Sequence, residues 1–157
     1  MRIRILAPAL VTATLISACG GGGGDATPVV PATTSLTGVA AKGPLKSALV
    51  QAFKVNDAGT LGDKITEKET DANGGYTLEL GTYAGTVQLV VSVIPGQTKS
   101  KDEATGEQTL PDDFKLRANM VVAAAGSSNQ IQNASITPFS ELAHKIAVDS
   151  GDRKSVV

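Results

Sequence analysis

The sequence predicts a mainly β protein, a seven-stranded antiparallel sandwich followed by the start of a helical region. Two segments alternate strictly: Tyr76, Leu78 and Leu80 against Thr77 and Glu79, then Val87, Leu89, Val91 and Val93 within Thr86–Ile94. Period two is the pattern of a strand with one face buried. Turn-formers separate such segments, as in Asn56-Asp57-Ala58-Gly59 and Asp71-Ala72-Asn73-Gly74-Gly75, where Asn, Asp and Gly supply the tight backbone geometry. The chain also holds 17 glycines and 7 prolines in 157 residues, a composition of short strands and turns rather than long helices.

The first 18 residues stand apart. Arg2 and Arg4 precede a mostly apolar run from Ile5 to Ser17, too short to cross a bilayer, which takes about 20 apolar residues. A basic start, an apolar middle and small residues at the end are the three parts of a secretory signal. Ser17 and Ala18 lead to Cys19, the single cysteine of the chain, so no intramolecular disulfide is available to it.

Leu15-Ile16-Ser17-Ala18-Cys19 resembles the lipobox of bacterial lipoproteins. That resemblance implies cleavage between Ala18 and Cys19, a diacylglycerol thioether on Cys19 and acylation (usually with palmitate) of the new amino group. A thiolate is a competent nucleophile for the thioether, and several acyl chains at about 0.8 kcal/mol per methylene hold a protein on a membrane. Gly20 follows the cysteine where Asp would favour inner-membrane retention, which implies the outer membrane. The stretch from Gly20 to Thr34 carries five consecutive glycines, then Pro28 and Pro31. It reads as a tether of roughly 20 Å mean span and at most about 50 Å, so residues 19–34 form the lipidated cysteine and its linker.

Once Arg2 and Arg4 are removed, 12 of the 14 basic residues face 15 acidic ones, a formal charge of −3. Without a basic cluster, the chain lacks the electrostatic footprint of a nucleic-acid partner. About 120 residues follow the tether, enough for one domain.

Seven strands are expected in residues 35–136. They are Ser35–Ala41, Ala48–Val55, a charged edge strand at Lys64–Thr70, Tyr76–Leu80, Thr86–Ile94, Phe114–Ala123 and Gln130–Ile136. In the second, Leu49, Phe53 and Val55 share one face, which the alternation points inward, and Val50 and Ala52 the other. The DANGG turn reads as a hairpin using Asn-Gly. From Thr137, a cap with Pro138 at the first helical position, residues 137–151 read as the start of a helical region. Phe139, Leu142, Ala143, Ile146 and Ala147 make one apolar stripe, which needs a surface to cover.

GVAAKGPLKSALVQAF followed by TDANGGYTLELGTYAGTVQLVVSV resembles the carboxypeptidase regulatory-like domain, a prealbumin/Ig-like sandwich. The matching positions are Gly38, Val39, Pro44, Leu45, Ala48, Val50, Thr70, Asp71, Gly74, Tyr76, Leu78, Gly85, Leu89 and Val91, over about residues 35–94. Ser47 stands where that family often has glycine. Lys101–Ala118 and Ile136–Ala147 resemble segments that follow such domains in bacterial lipoproteins. These motifs concern shape, so they imply a fold before a function.

No catalytic constellation is legible. His144 is the single histidine, placed on the helix without a motif partner, and the nucleophile, zinc-protease and phosphate-loop patterns do not occur. Asp71-Ala72-Asn73-Gly74 lacks the later acidic ligands of a calcium loop, and Asp102-Glu103 and Asp112-Asp113 read as solvated pairs. An isopeptide crosslink from Lys42, Asn133 and Glu79 lacks the glutamate-bearing segment that such adhesin modules carry. Neither a metal nor a cofactor is expected. A carbohydrate-binding alternative needs exposed aromatic rings; with no Trp, Tyr83 and Phe114 remain as the candidate ligand surface. The expected role is thus a non-catalytic, lipid-anchored spacer or presentation module of a larger lipoprotein, its partner an envelope protein or glycan. Asp152–Val157 match the translation of a common short-read sequencing adapter, so the last six residues are expected to be artefactual and the chain a fragment.

Overall fold

The computed structural model describes residues 30–151. The signal segment 1–18, Cys19, the glycine run and the tail 152–157 lie outside the described residues.

The described chain forms ten strands and one helix: β1 Thr34–Val39, β2 Leu45–Lys46, β3 Leu49–Val55, β4 Leu61–Glu69, β5 Gly75–Gly81, β6 Gly85–Ser92, β7 Lys99–Asp102, β8 Gly106–Thr109, β9 Lys115–Val122, β10 Gln130–Asn133 and α1 Pro138–Asp149. A four-stranded sheet of order β4-β3-β6-β9 faces a three-stranded sheet of order β10-β1-β5, and β2, β7 and β8 form a small third sheet. The fold is therefore mainly β, a sandwich followed by a helix.

Alternation decides the core. Tyr76, Leu78 and Leu80 of β5 and Leu36 of β1 are buried on one side; Val87, Leu89 and Val91 of β6 and Leu116, Ala118 and Val122 of β9 on the other. They belong to one hydrophobic cluster, as the two inner faces of a sandwich should.

All seven expected strands are present, with four differences. The face of β3 is the reverse of that expected: Val50 and Ala52 are fully buried, and Phe53 is half-buried on the outer side. Pairing with β6 fixes this, because Ala52 lies opposite Leu89 and Phe53 opposite Gln88. A single-residue slip would have sent Leu89 outward. The pairing of β1 with β10 is parallel, Thr34 to Gln130 through Thr37 to Asn133, within an otherwise antiparallel set. The DANGG turn is no hairpin, since β4 and β5 belong to different sheets; it carries the chain across the sandwich. Finally, the stretch after Ile94 contains the β7–β8 hairpin, paired from Lys99–Thr109 to Asp102–Gly106. Its charged, polar residues carry no alternating apolar signal.

Candidate functional site

Residues of the GVAAKGPLKSA and TDANGGY stretches converge on one place. Thr70 donates its hydroxyl to the Leu45 carbonyl and accepts the Ala48 N–H at 2.9 Å. Asp71 Oδ1 accepts the N–H groups of Asn73 and Gly75, both at 2.8 Å. That leaves Gly74 at φ +77°, where an added Cβ would lie 2.6 Å from the Ala40 carbonyl oxygen. The Ala40 N–H in turn donates to the Gly74 carbonyl at 2.9 Å. A Cβ on Gly38 would sit 2.0 Å from the Ala134 oxygen, the same carbonyl that accepts the Tyr76 hydroxyl. These motif side chains and glycines lock β1, the β1–β2 turn, the β4–β5 crossing and the segment after β10 together. Ser47, at φ +52°, is the sole non-glycine with positive φ among the described residues, a backbone conformation that favours glycine.

Phe114 and Tyr83 do not form one platform. Tyr83 precedes the Gly85–Val122 end of the β6–β9 ladder and Phe114 the Ser92–Lys115 end, roughly 23 Å apart along a strand. Each ring packs partly against the core. Tyr83 donates to the Thr86 carbonyl at 2.9 Å, and partial burial raises its phenol pKa. Lysines, not open aromatic faces, lie over both rings: Lys42 Nζ is 5.5 Å from Phe114 and Lys54 Nζ 6.0 Å from Tyr83.

Among the acidic pairs, Asp102 closes the β7–β8 turn by accepting the N–H groups of Ala104 and Thr105, both at 2.9 Å. Those bonds, the Thr105 contact foremost, hold its carboxyl below the usual range. No group of three or more His, Cys, Asp or Glu able to hold a metal occurs among the described residues. Lys42 sits over Phe114, whereas Glu79 accepts from Ser35, so these two isopeptide residues engage different partners.

Helix α1 supplies the least expected geometry. Thr137 caps it, with a capping box closed by Ser140 and Pro138 in the first turn. The helix then turns its polar side to the sheet. Glu141, His144 and Ala147 are buried, while Phe139, Leu142 and Ile146 are 84%, 56% and 60% exposed. The three large residues of the expected apolar stripe thus face outward while Ala147 is buried and Ala143 half-buried, and His144 is buried as well. The cause lies on the outer face of β9 and β6, which presents Arg117, Asn119 and Gln88. Arg117 grips Glu141 with both fork nitrogens, Nε to Oε2 at 3.1 Å and Nη2 to Oε1 at 2.8 Å. Gln88 Nε2 lies 3.0 Å from Asn119 Oδ1 and 3.2 Å from His144 Nδ1. Ser140 Oγ is 2.8 Å from the Arg117 carbonyl. A polar sheet face takes the polar helix face, because an apolar ridge laid there would strand these groups. Sequence reading missed Arg117, Asn119 and Gln88; three outward polar positions on adjacent strands were the available signal.

No protein-family model matches this sequence, and no curated protein matches it closely. Among solved structures the chain is similar to a 9R-lipoxygenase from Cyanothece PCC8801, at 15% identity and TM-score 0.35, covering 72% of this chain and 18% of that one. It is also similar to an (S)-allantoin synthase, at 12% identity and TM-score 0.35, covering 68% of this chain and 42% of that one. The chain spans well under two thirds of either, and likeness at this level says nothing of activity.

Proposed function

We propose that the chain is a lipid-anchored module of the outer membrane, a non-catalytic β-sandwich that spaces or presents other parts of a larger envelope lipoprotein. The carrying observation is the run Leu15–Cys19, with the single cysteine directly before a glycine-rich tether. The domain supports this reading in its rigidity: the residues of its recognisable motifs are engaged in holding strands together. The resemblance to the carboxypeptidase regulatory-like domain points the same way. No helix among the described residues is long and apolar enough to cross a membrane.

Substitution of the acceptor sulfur tests this. Cys19→Ser should accumulate as uncleaved precursor, without incorporation of labelled palmitate, whereas the parent is labelled and fractionates with the outer membrane. Normal cleavage of Cys19→Ser, with detergent partitioning unchanged, would overturn the anchor.

A further inference from the structure

The outward face of α1 is apolar, with one exposed cation and one exposed carboxylate. From Pro138 to Asp149 the exposed residues are Pro138, Phe139, Leu142, Lys145, Ile146 and Asp149. The other carboxylate of the helix, Glu141, is buried and held by Arg117, and Lys145 Nζ reaches its edge at 3.8 Å. The helix is also fixed in rotation, because the capping box, the Arg117–Glu141 fork and the His144–Gln88 contact all tie the opposite face to the sheet.

We propose that this face is a lipid-contact surface, with Phe139, Leu142 and Ile146 at the acyl boundary of a bilayer and Lys145 among the lipid phosphates. The inference rests on the anchored reading of Cys19. Area favours lipid over a protein partner. The three exposed side chains offer roughly 300–400 Å², under half of the about 800 Å² that each partner gives to a stable protein interface. A bilayer demands no complementary shape, and a ridge of Phe, Leu and Ile beside a lysine suits its interface. The lysine stem can lie along apolar surface while its head reaches phosphate. Under the anchored reading, only residues 20–34 separate the domain from the lipidated cysteine, so a weak second contact is made at high effective concentration.

The chain contains no tryptophan, so Phe139→Trp places a lone fluorescent reporter on the ridge. The lipidated full chain would be reconstituted into vesicles of phosphatidylethanolamine and phosphatidylglycerol containing dibrominated phosphatidylcholine. The reporter at 139 should emit at shorter wavelength and be quenched about threefold more than one introduced by Ala104→Trp in the β7–β8 turn. Adding Leu142→Asp and Ile146→Asp should abolish that quenching at unchanged melting temperature, because both side chains already face water. Vesicle-bound protein whose reporter emits as in water overturns the inference and leaves the anchor standing. So does a blue shift without bromine quenching, the signature of a second copy or another protein segment covering the ridge. Protein that fails to float with the vesicles overturns the anchor and, with it, this contact.

Discussion

Ser47 holds a backbone conformation that costs a non-glycine residue about 1–2 kcal/mol. Its N–H and carbonyl are both used, the first by the Thr70 carbonyl and the second by the Thr98 hydroxyl, so the chain cannot relax there. Ser47→Gly should therefore stabilise the domain by roughly 0.5–1 kcal/mol, less than the full strain because glycine also frees the unfolded chain. Urea denaturation measures it; an unchanged or lower midpoint would refute the strain. Tyr76 offers a second test, through pH. Burial raises its phenol pKa well above the ordinary value near 10. Below pH 10 the phenol is neutral in both states and stability is flat. As the pH climbs past 10 the unfolded chain ionises first, and stability falls. Tyr76→Phe should remove most of that alkaline slope, while costing about 1–3 kcal/mol at neutral pH for the orphaned Ala134 carbonyl. A slope as steep as the parent's would assign the effect elsewhere.

The seven expected strands were legible from local signals, whereas β2, β7 and β8 carry none: the alternation in β5 and β6 is visible without knowing what lies opposite. Helix α1 was legible as a helix for the same reason, through Thr137, Pro138 and the spacing of its apolar residues. Its orientation was not. Which face docks is decided by Arg117, Asn119 and Gln88, residues that become neighbours only after β6 and β9 pair at Gln88–Asn119 and Val90–Arg117. The face of β3 went astray likewise, since Leu49, Phe53 and Val55 outweigh Val50 and Ala52 in size but not in register. Of the candidate site, Tyr83 and Phe114 could be named from the sequence but not their separation. The docked helix yields its own prediction. Arg117→Met leaves the Glu141 carboxylate buried without its fork and should weaken docking by about 1–3 kcal/mol. Amide exchange across Ala143–Ala147 should accelerate while β6 amides keep their protection. Equal loss in both would mean that helix and sandwich unfold as one unit.

At the scale of the molecule, one core joins both sheets, and Leu89 lies at its centre with no exposure. Leu89→Asp places a carboxylate among apolar side chains, a penalty of several kcal/mol against a total stability of about 5–15 kcal/mol. The variant should be unfolded or nearly so at 37 °C by circular dichroism. A melting temperature within a few degrees of the parent would deny the single core. Topology adds a mechanical property. The chain enters β1 at Thr34, and β1 is the middle strand of its sheet, bonded to β5 on one side and to β10 on the other. Because β1 and β10 run parallel and β10 leads on towards α1, tension between the chain before Thr34 and the chain leaving β10 pulls these two strands in opposite senses along their length. Their hydrogen bonds are loaded in shear, all together, instead of peeling one after another from a frayed end. Strand β1 is thereby the one best placed to bear a load applied between the two ends of the domain.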